Sequence, residues 1–239
     1  MVIRDITARE LCLFGDIVAR VARLGPESDG RAAVLVDIVR LLRADFVASY
    51  VWSAARRQFE QALYLNMDPQ NLRRYHEWYQ FRDPMTFQLR ARRRATLVEE
   101  VIPQPALERT EFFNEFLARD GLHHGINMFV FDGARDLGDF RVWRARGRPE
   151  FGVREVALLD ALEPFLRSAL MRSSGADPDL TPRERDIAML VARGCTDRDI
   201  ARVLGISFGT VRTHLNRAMA KRGCANRAEL AVTLARGGP

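Results

Sequence analysis

The sequence predicts two domains: an N-terminal α+β domain, built as an α-β-α sandwich around a five-stranded, mostly antiparallel sheet, and a C-terminal all-α domain of four short helices. Three observations carry this. Residues 5–171 alternate between stretches of helical period and stretches of period two. Residues 173–178, Ser-Ser-Gly-Ala-Asp-Pro, are small, polar and rich in breakers, as a linker is. From Leu180 onward the chain is cut into short helices by regularly placed caps and glycines. The expected boundaries are 1–173, 174–179 for the linker, and 180–239.

The elements follow in order. Residues 5–43 read as two helices, with Leu13, Ile17 and Val21 and then Val34, Ile38 and Leu41 on their apolar stripes, separated by Gly25-Pro26-Glu27-Ser28. Residues 46–52 and 59–65 alternate as paired strands around a polar turn. Asp68-Pro69 is a helix start, since an N-cap acceptor precedes a proline whose missing N–H is harmless at the first position. The helix it opens, 69–80, places Leu72, Tyr75, His76 and Tyr79 on one stripe and ends before Asp83-Pro84. A short strand at 96–101 follows, and Thr110 caps a helix bearing Phe112, Phe113, Phe116 and Leu117. Residues 124–131 and 137–144 form a strand pair around Asp132-Gly133, and a long helix at 153–171 closes the domain.

At 239 residues, with 47% hydrophobic and 28% charged residues, the chain has enough apolar material for ordinary cores. Its uncharged apolar stretches, 126–131 among them, are far short of the roughly 20 residues that span a bilayer. The start, with Arg4, Asp5, Arg9 and Glu10, lacks a signal-peptide core, so a cytoplasmic location is expected. Cys12, Cys195 and Cys224 lack zinc-site spacing and read as buried reduced thiols. The net charge of +6, almost all of it arginine, favours a polyanionic partner.

The C-terminal segment is the most informative. Thr181-Pro182-Arg183-Glu184 is a capping box with proline at the first helical position, and that helix carries Ile187, Leu190 and Val191 inward before ending at Gly194. Thr196-Asp197-Arg198-Asp199 opens a second helix with Ile200, Ala201 and Leu204 inward and Gly205 at its end. Only Gly205-Ile206-Ser207 separates it from a third helix capped by Ser207, which is the helix-turn-helix connection. On that third helix Val211, Leu215 and Ala218 share one face, leaving Gly209, Arg212, Thr213, Asn216 and Ala220 outside. Small residues let the helix approach closely, while Arg212 and Asn216 offer the fork and amide that pair with guanine and adenine edges. Between Ser207 and Arg227 there are five basic residues and no acidic one, the charge balance a phosphate backbone selects.

Leu180-Thr181-Pro182-Arg183-Glu184, Gly194, Asp199-Ile200-Ala201, Leu204-Gly205-Ile206-Ser207 and Thr210-Val211-Arg212-Thr213-His214-Leu215 resemble the LuxR-type (GerE-like) helix-turn-helix domain over residues 178–237. Ala188 stands where a larger aliphatic residue is usual in that family. The resemblance implies a transcription regulator that binds double-stranded DNA as a homodimer. A fourth helix at 226–234 would pair two copies on an inverted-repeat operator. On this expectation Arg212, Thr213 and Asn216 face bases, and Thr210, His214, Arg217 and Lys221 face phosphates.

The α-β-α pattern, Asp83-Pro84 and His124-Gly125-Ile126-Asn127 resemble the autoinducer-binding domain of quorum-sensing LuxR-type proteins. In that family a tryptophan and then a tyrosine before Asp-Pro hold an acyl-homoserine lactone. The matching positions here are Leu72 and Tyr75, with one residue fewer before Asp83, and Val98 sits near another usual aromatic. A small-molecule effector in an aromatic pocket is expected, with Trp52, Tyr64, Tyr75 and Asp83 as its binding residues. Tyr50, Tyr79, Phe113 and Trp143 are further candidates for the lining; the alternatives are a protein partner acting on a ligand-free sensor, or a true acyl-homoserine lactone quorum-sensing receptor. The arginine run at 90–94 reads as a solvated surface. No metal is expected at His123-His124 and no cofactor anywhere; with no nucleophile elbow, phosphate loop or HExxH, no enzyme is expected either.

Overall fold

The computed structural model describes residues 6–25, 28–174 and 180–236, apart from the side chains of residues 174, 182, 235 and 236. Residues 175–179 of the expected linker, and Pro26 and Glu27 of the first breaker stretch, lie outside the described residues. The chain divides into two compact units, Met1–Ser173 and Ser174–Pro239.

In the first unit Thr7 caps helix α1, Ala8–Ala22, through a capping box in which the Glu10 N–H donates to Thr7 Oγ1 and the Thr7 N–H to Glu10 Oε2. Helix α2 spans Leu35–Leu41, and strands β1, Phe46–Ser53, and β2, Gln58–Leu65, form the first hairpin. Helices α3, Pro69–Glu77, and α4, Thr86–Ala91, precede the two-residue strand β3, Thr96–Leu97. A short helix α5, Gln104–Leu107, is followed by a π-helical turn, Phe113–Leu117, that runs into α6, Ala118–Asp120. The long hairpin β4, Leu122–Asp132, and β5, Arg135–Ala145, and helix α7, Val153–Ser174, complete the unit. The sheet is antiparallel throughout, in the order β2-β1-β5-β4-β3.

Both faces of this sheet are covered, as expected of the sandwich. One apolar core joins α1, α2 and α7 to the sheet through Ile17, Ile38, Leu41, Met128, Val142 and Leu162. The other packs α3 to α6 against the opposite face through Tyr75, Met85, Leu89, Phe112, Phe116 and Trp143. Strand β5 is central, so neither of its faces meets solvent. Alternation on such a strand therefore separates two interiors rather than inside from outside.

Three local readings are corrected. The helix expected at 69–80 stops at Glu77 and tightens into a 3-10 turn at Tyr79–Phe81, and His76, within the helix, is exposed while Leu72, Tyr75 and Tyr79 are buried. The strand expected at 96–101 pairs only through Thr96 and Leu97, because Val98–Glu100 coil into a 3-10 turn whose Glu100 carboxylate accepts the Leu97 N–H. Cys12 is exposed, and Cys195 and Cys224 are half-buried; all three are free.

Glu10 does more than cap α1. It is 3% exposed, pairs with Arg43 at 3.0 Å and also contacts Arg154 of α7. The Arg154 hydrogen bond, helped by the Thr7 donors, holds its carboxyl down to about 2 against the opposing effect of burial. A carboxyl depressed in the folded state stabilises the fold above its ordinary value of 4.5, and that stability is lost as the pH falls towards 2. Glu10→Gln is therefore expected to lower stability at neutral pH and to flatten its decline through the acid range. Urea titrations across that range check this, and an unchanged acid slope would refute it.

The second unit holds α8, Pro182–Ala192, α9, Asp197–Leu204, α10, Phe208–Lys221, and α11, Arg227–Arg236. Ile187, Ala188, Ile200, Val211, Ala218 and Leu230 are fully buried at its centre. Ala188 fits there without any exposed surface, so the small side chain is absorbed by tighter packing.

Candidate nucleic-acid interface and interior cavity

The connection between α9 and α10 is built as the caps require. Thr196 and Asp199 exchange hydrogen bonds at the start of α9, Gly205 takes φ +63° at its end, and the Ile206 N–H returns to the Ala201 carbonyl at 3.1 Å. Ser207 Oγ then accepts the Thr210 N–H at 3.1 Å and lies 2.8 Å from the Thr210 hydroxyl. No acid lies in the first turn of α10, so its positive end stays uncompensated.

Val211, Leu215 and Ala218 fasten α10 to the core, which turns Gly209, Arg212, Thr213, Asn216, Arg217 and Ala220 to solvent. Arg212 and Arg217 have no ion-pair partner among the described residues, and Arg212 lies 6.0 Å from the ring of the exposed Phe208. Thr213 spends its hydroxyl proton on the Gly209 carbonyl, leaving its lone pairs and methyl outward. His214 is half-buried, with Nδ1 enclosed. Lys221 departs from the expected phosphate role. Its Nζ is 2.5 Å from Glu184 Oε2, so the ammonium is turned inward onto the first helix of the unit. Burial pushes the Glu184 carboxyl up, but Lys221 and the Thr181 donors outweigh it and hold the group below its usual range. Arg227 is likewise occupied, by Asp197 at 3.0 Å and the Cys195 carbonyl at 2.6 Å.

Residues 178–234 match the family described as bacterial regulatory proteins, luxR family. This segment is a luxR-family DNA-binding domain. A similar protein is the monoamine regulon transcriptional regulator of Klebsiella aerogenes, 29% identical over 136 residues; the match covers 56% of this chain and 60% of that protein's length. Among solved structures, SdiA of Escherichia coli aligns with TM-score 0.54 and 17% identity over 95% of this chain and 98% of its own. The N-acylhomoserine lactone dependent LuxR family factor CepR2 of Burkholderia cenocepacia aligns with TM-score 0.54 and 19% identity over 72% of this chain and all of its own. At these identities the likeness establishes a shared fold.

Outside the luxR-family segment, the face of the sheet beneath α3 to α6 carries a partly open cavity of about 20 Å³, room for about one water molecule. Tyr50, Tyr75, Phe112, Phe116 and Trp143 form its aromatic wall, with Met85 and Asp83 at the entrance to α4. Of the four expected binding residues, Tyr75 and Asp83 line the cavity and meet at 3.4 Å. Trp52 and Tyr64 do not line it. Trp52 stacks edge-on against Phe59 and Phe87. Tyr64 pairs with the cavity-lining Ala48 and so shares its face, but β2 is an edge strand and nothing covers it there, leaving it 41% exposed; Leu63 and Leu65 turn to the α1 side. Tyr79 stacks on Phe116, and Phe113 packs against His123, both outside the cavity lining.

Asp83 is largely spent on its own backbone. It accepts the Met85 and Thr86 N–H groups at 2.9 Å and the Thr86 hydroxyl at 2.5 Å, capping α4. The other charged residue of the lining is Arg141, on β5, which pairs with Asp139 of the same strand. Arg141 Nε donates to Asp139 Oδ2 at 2.8 Å, Nη2 lies 2.7 Å from the same oxygen, and Nη1 donates to the Tyr75 hydroxyl. The guanidinium sits over Phe59 at 4.3 Å and Tyr50 at 4.7 Å. Burial pushes the Asp139 carboxyl up to about 6, against the pull of Arg141 and of the Tyr50 N–H, which donates to it at 2.6 Å. Asn127, across from Arg141 on β4, is 1% exposed, and neither end of its amide has a partner among the described residues. Each such buried orphan costs about 1–3 kcal/mol.

The sequence could have revealed this trio only through strand order. Residues 139, 141 and 143 share one face of β5, and knowing that β5 is central would have made their burial unavoidable. At the surface, Glu99, His124 and Glu150 bring donor atoms within 4.8 Å of one another, with His124 Nδ1 3.7 Å from Glu99 Oε1. That proximity comes from a turn and a loop, so residue spacing beside His123-His124 could not show it. No helix among the described residues is long and apolar enough to cross a membrane.

Proposed function

We propose that this protein is a cytoplasmic, sequence-specific transcription regulator that binds DNA as a homodimer and answers to a small molecule held in the cavity of its N-terminal unit. The observation that carries the first half is the outer face of α10: exposed Arg212, Thr213, Asn216 and Arg217 on a helix whose N-terminus is free of acid. Arg212, Thr213 and Asn216 read bases. Thr210, Arg217 and the exposed edge of His214 position the helix on phosphates, and Lys221 contributes through Glu184 rather than through DNA. The relative from Klebsiella aerogenes is named as a transcriptional regulator, which supports the same reading.

The second half is supported by a cavity with aromatic walls and buried polar groups in its floor, the composition of a small-molecule site. The structure of similar fold, CepR2, is described as N-acylhomoserine lactone dependent. A lactone would have to bind here without the tryptophan donor, since Leu72 occupies its position and is buried in the apolar core.

Selection from random duplexes with the full-length protein tests DNA recognition. An inverted repeat with half-sites about one helical turn apart is expected to emerge. Arg212→Ala should then cost about tenfold on the selected site relative to random DNA. Recovery of no preferred sequence, or an equal loss on both DNAs, would sink the assignment. A thermal-melt screen that includes acyl-homoserine lactones tests the sensor, because a ligand of the native state raises the melting temperature by mass action. A stoichiometric co-purifying protein and no responding small molecule would favour control by a partner instead.

A further inference from the structure

We infer that the cavity takes a small molecule bearing a carboxylate, which Arg141 and Asn127 hold against the middle of the sheet. This rests on the reading of the N-terminal unit as a small-molecule sensor and names the chemistry of its ligand. Asn127 and Arg141 are direct cross-strand partners on β4 and β5, both line the cavity, and they are 1% and 5% exposed. Asn127 Nδ2 and Oδ1 have no hydrogen-bond partner among the described residues. Arg141 Nη2 is in ion-pair range of Asp139 but makes no aligned hydrogen bond. Buried polar atoms are almost always satisfied in native proteins. A core filled by Arg141 for packing alone would place hydrocarbon beside it, not an amide with both ends idle. The idle atoms are better explained as contacts awaiting a ligand.

Three features select a carboxylate among polar groups. The atoms without a hydrogen bond are mostly donors, the Asn127 NH₂ and Arg141 Nη2, against a single amide oxygen. A guanidinium presents its N–H groups in a planar fork that matches two carboxylate oxygens. The acids already present do not block the site. Asp83 is engaged by Met85, Thr86 and Tyr75, and Asp139, whose carboxyl burial has raised, is the group able to take up a proton as a second carboxylate reaches Arg141. The remaining titratable groups facing Arg141, Tyr50 and Tyr75, are held neutral by burial. The space beside Arg141 is small, about 20 Å³, so it suits the carboxylate itself, and the apolar body of the ligand lies among Tyr50, Tyr75, Phe112, Phe116 and Trp143 towards the cavity's open side.

Calorimetric titration of the full-length protein with benzoate, phenylacetate and octanoate, each against its primary amide, tests this. At least one acid should bind, with its amide weaker by about tenfold or more, the scale of one charge-assisted hydrogen bond. The double variant Asp139→Asn/Arg141→Gln, which removes both charges together, and Asn127→Ala should each lose acid binding by a similar factor while retaining the far-ultraviolet spectrum of the parent. Asn127→Ala alone decides the question if the double variant does not fold. Amide binding as tight as acid binding, or undiminished acid binding by Asn127→Ala, overturns the inference. So does binding of N-octanoyl-homoserine lactone with no binding of any acid, and that result leaves the sensor reading standing. If none of these probes binds, the carboxylate inference also falls, and the wider screen decides the sensor reading separately.

Discussion

Arg141→Met is expected to destabilise the N-terminal unit by about 3–5 kcal/mol, the penalty for breaking a buried pair by removing one partner. Asp139 has no exposed surface, and once the guanidinium is gone only the Tyr50 N–H, among the described residues, remains to meet its charge. The carboxyl is already raised from 3.8 to about 6 with Arg141 present, so the folded state binds its proton more tightly than the unfolded chain does. For an acid shifted in that direction, stability is greatest below the unfolded value and declines as the pH rises through the folded one. Without Arg141 the decline should extend to higher pH, making the variant's deficit larger at neutral than at acid pH. Asp139→Asn/Arg141→Met should recover most of the loss, because the amide still accepts the Tyr50 N–H and no charge is buried. Urea unfolding of parent, single and double variants at neutral and acid pH measures all of this. Equal stability of the single and double variants would mean that Asp139 does not depend on Arg141.

What could be read from the sequence was whatever a few neighbouring residues determine. Thr181 with Glu184, Thr196 with Asp199, and Ser207 before Phe208 are decided within one turn, and each forms the cap its spacing predicts. The covered sheet was legible for a similar reason, since period two flanked by period 3.6 requires helices on a sheet. Tyr64 shows where this stops. Its register with Ala48 puts it on the cavity face, and only the order of strands, which makes β2 an edge, leaves it uncovered. Asp139 and Arg141 show the deeper limit. Alternating charged and apolar residues on a strand look solvated until the order of strands places that strand in the middle of a sheet covered on both faces.

Lys221 combines a local expectation that was sound with a long-range contact that redirects it. The count of basic residues around α10 says nothing of where an individual ammonium points, and its partner Glu184 lies 37 residues earlier in the chain. Glu184 is 3% exposed and at the same time closes the capping box of α8 by accepting the Thr181 N–H at 2.9 Å, so the ion pair fastens the end of α10 to the start of α8. Lys221→Met should therefore cost about 2–3 kcal/mol, less than a fully buried pair because Nζ belongs to a side chain 35% exposed. In a unit of this size that is a large share of the total stability. The deficit should shrink in acid, where Glu184, whose carboxyl is held low in the fold, is protonated in both variants. Binding to the selected DNA should fall only by the fraction of protein unfolded, with the dependence of affinity on salt unchanged, whereas Arg217→Ala should lower the salt slope by about one phosphate contact. Melting of the C-terminal unit measured beside DNA titrations at several salt concentrations separates the two roles. A reduced salt slope with unaltered melting in Lys221→Met would return the lysine to the phosphate backbone.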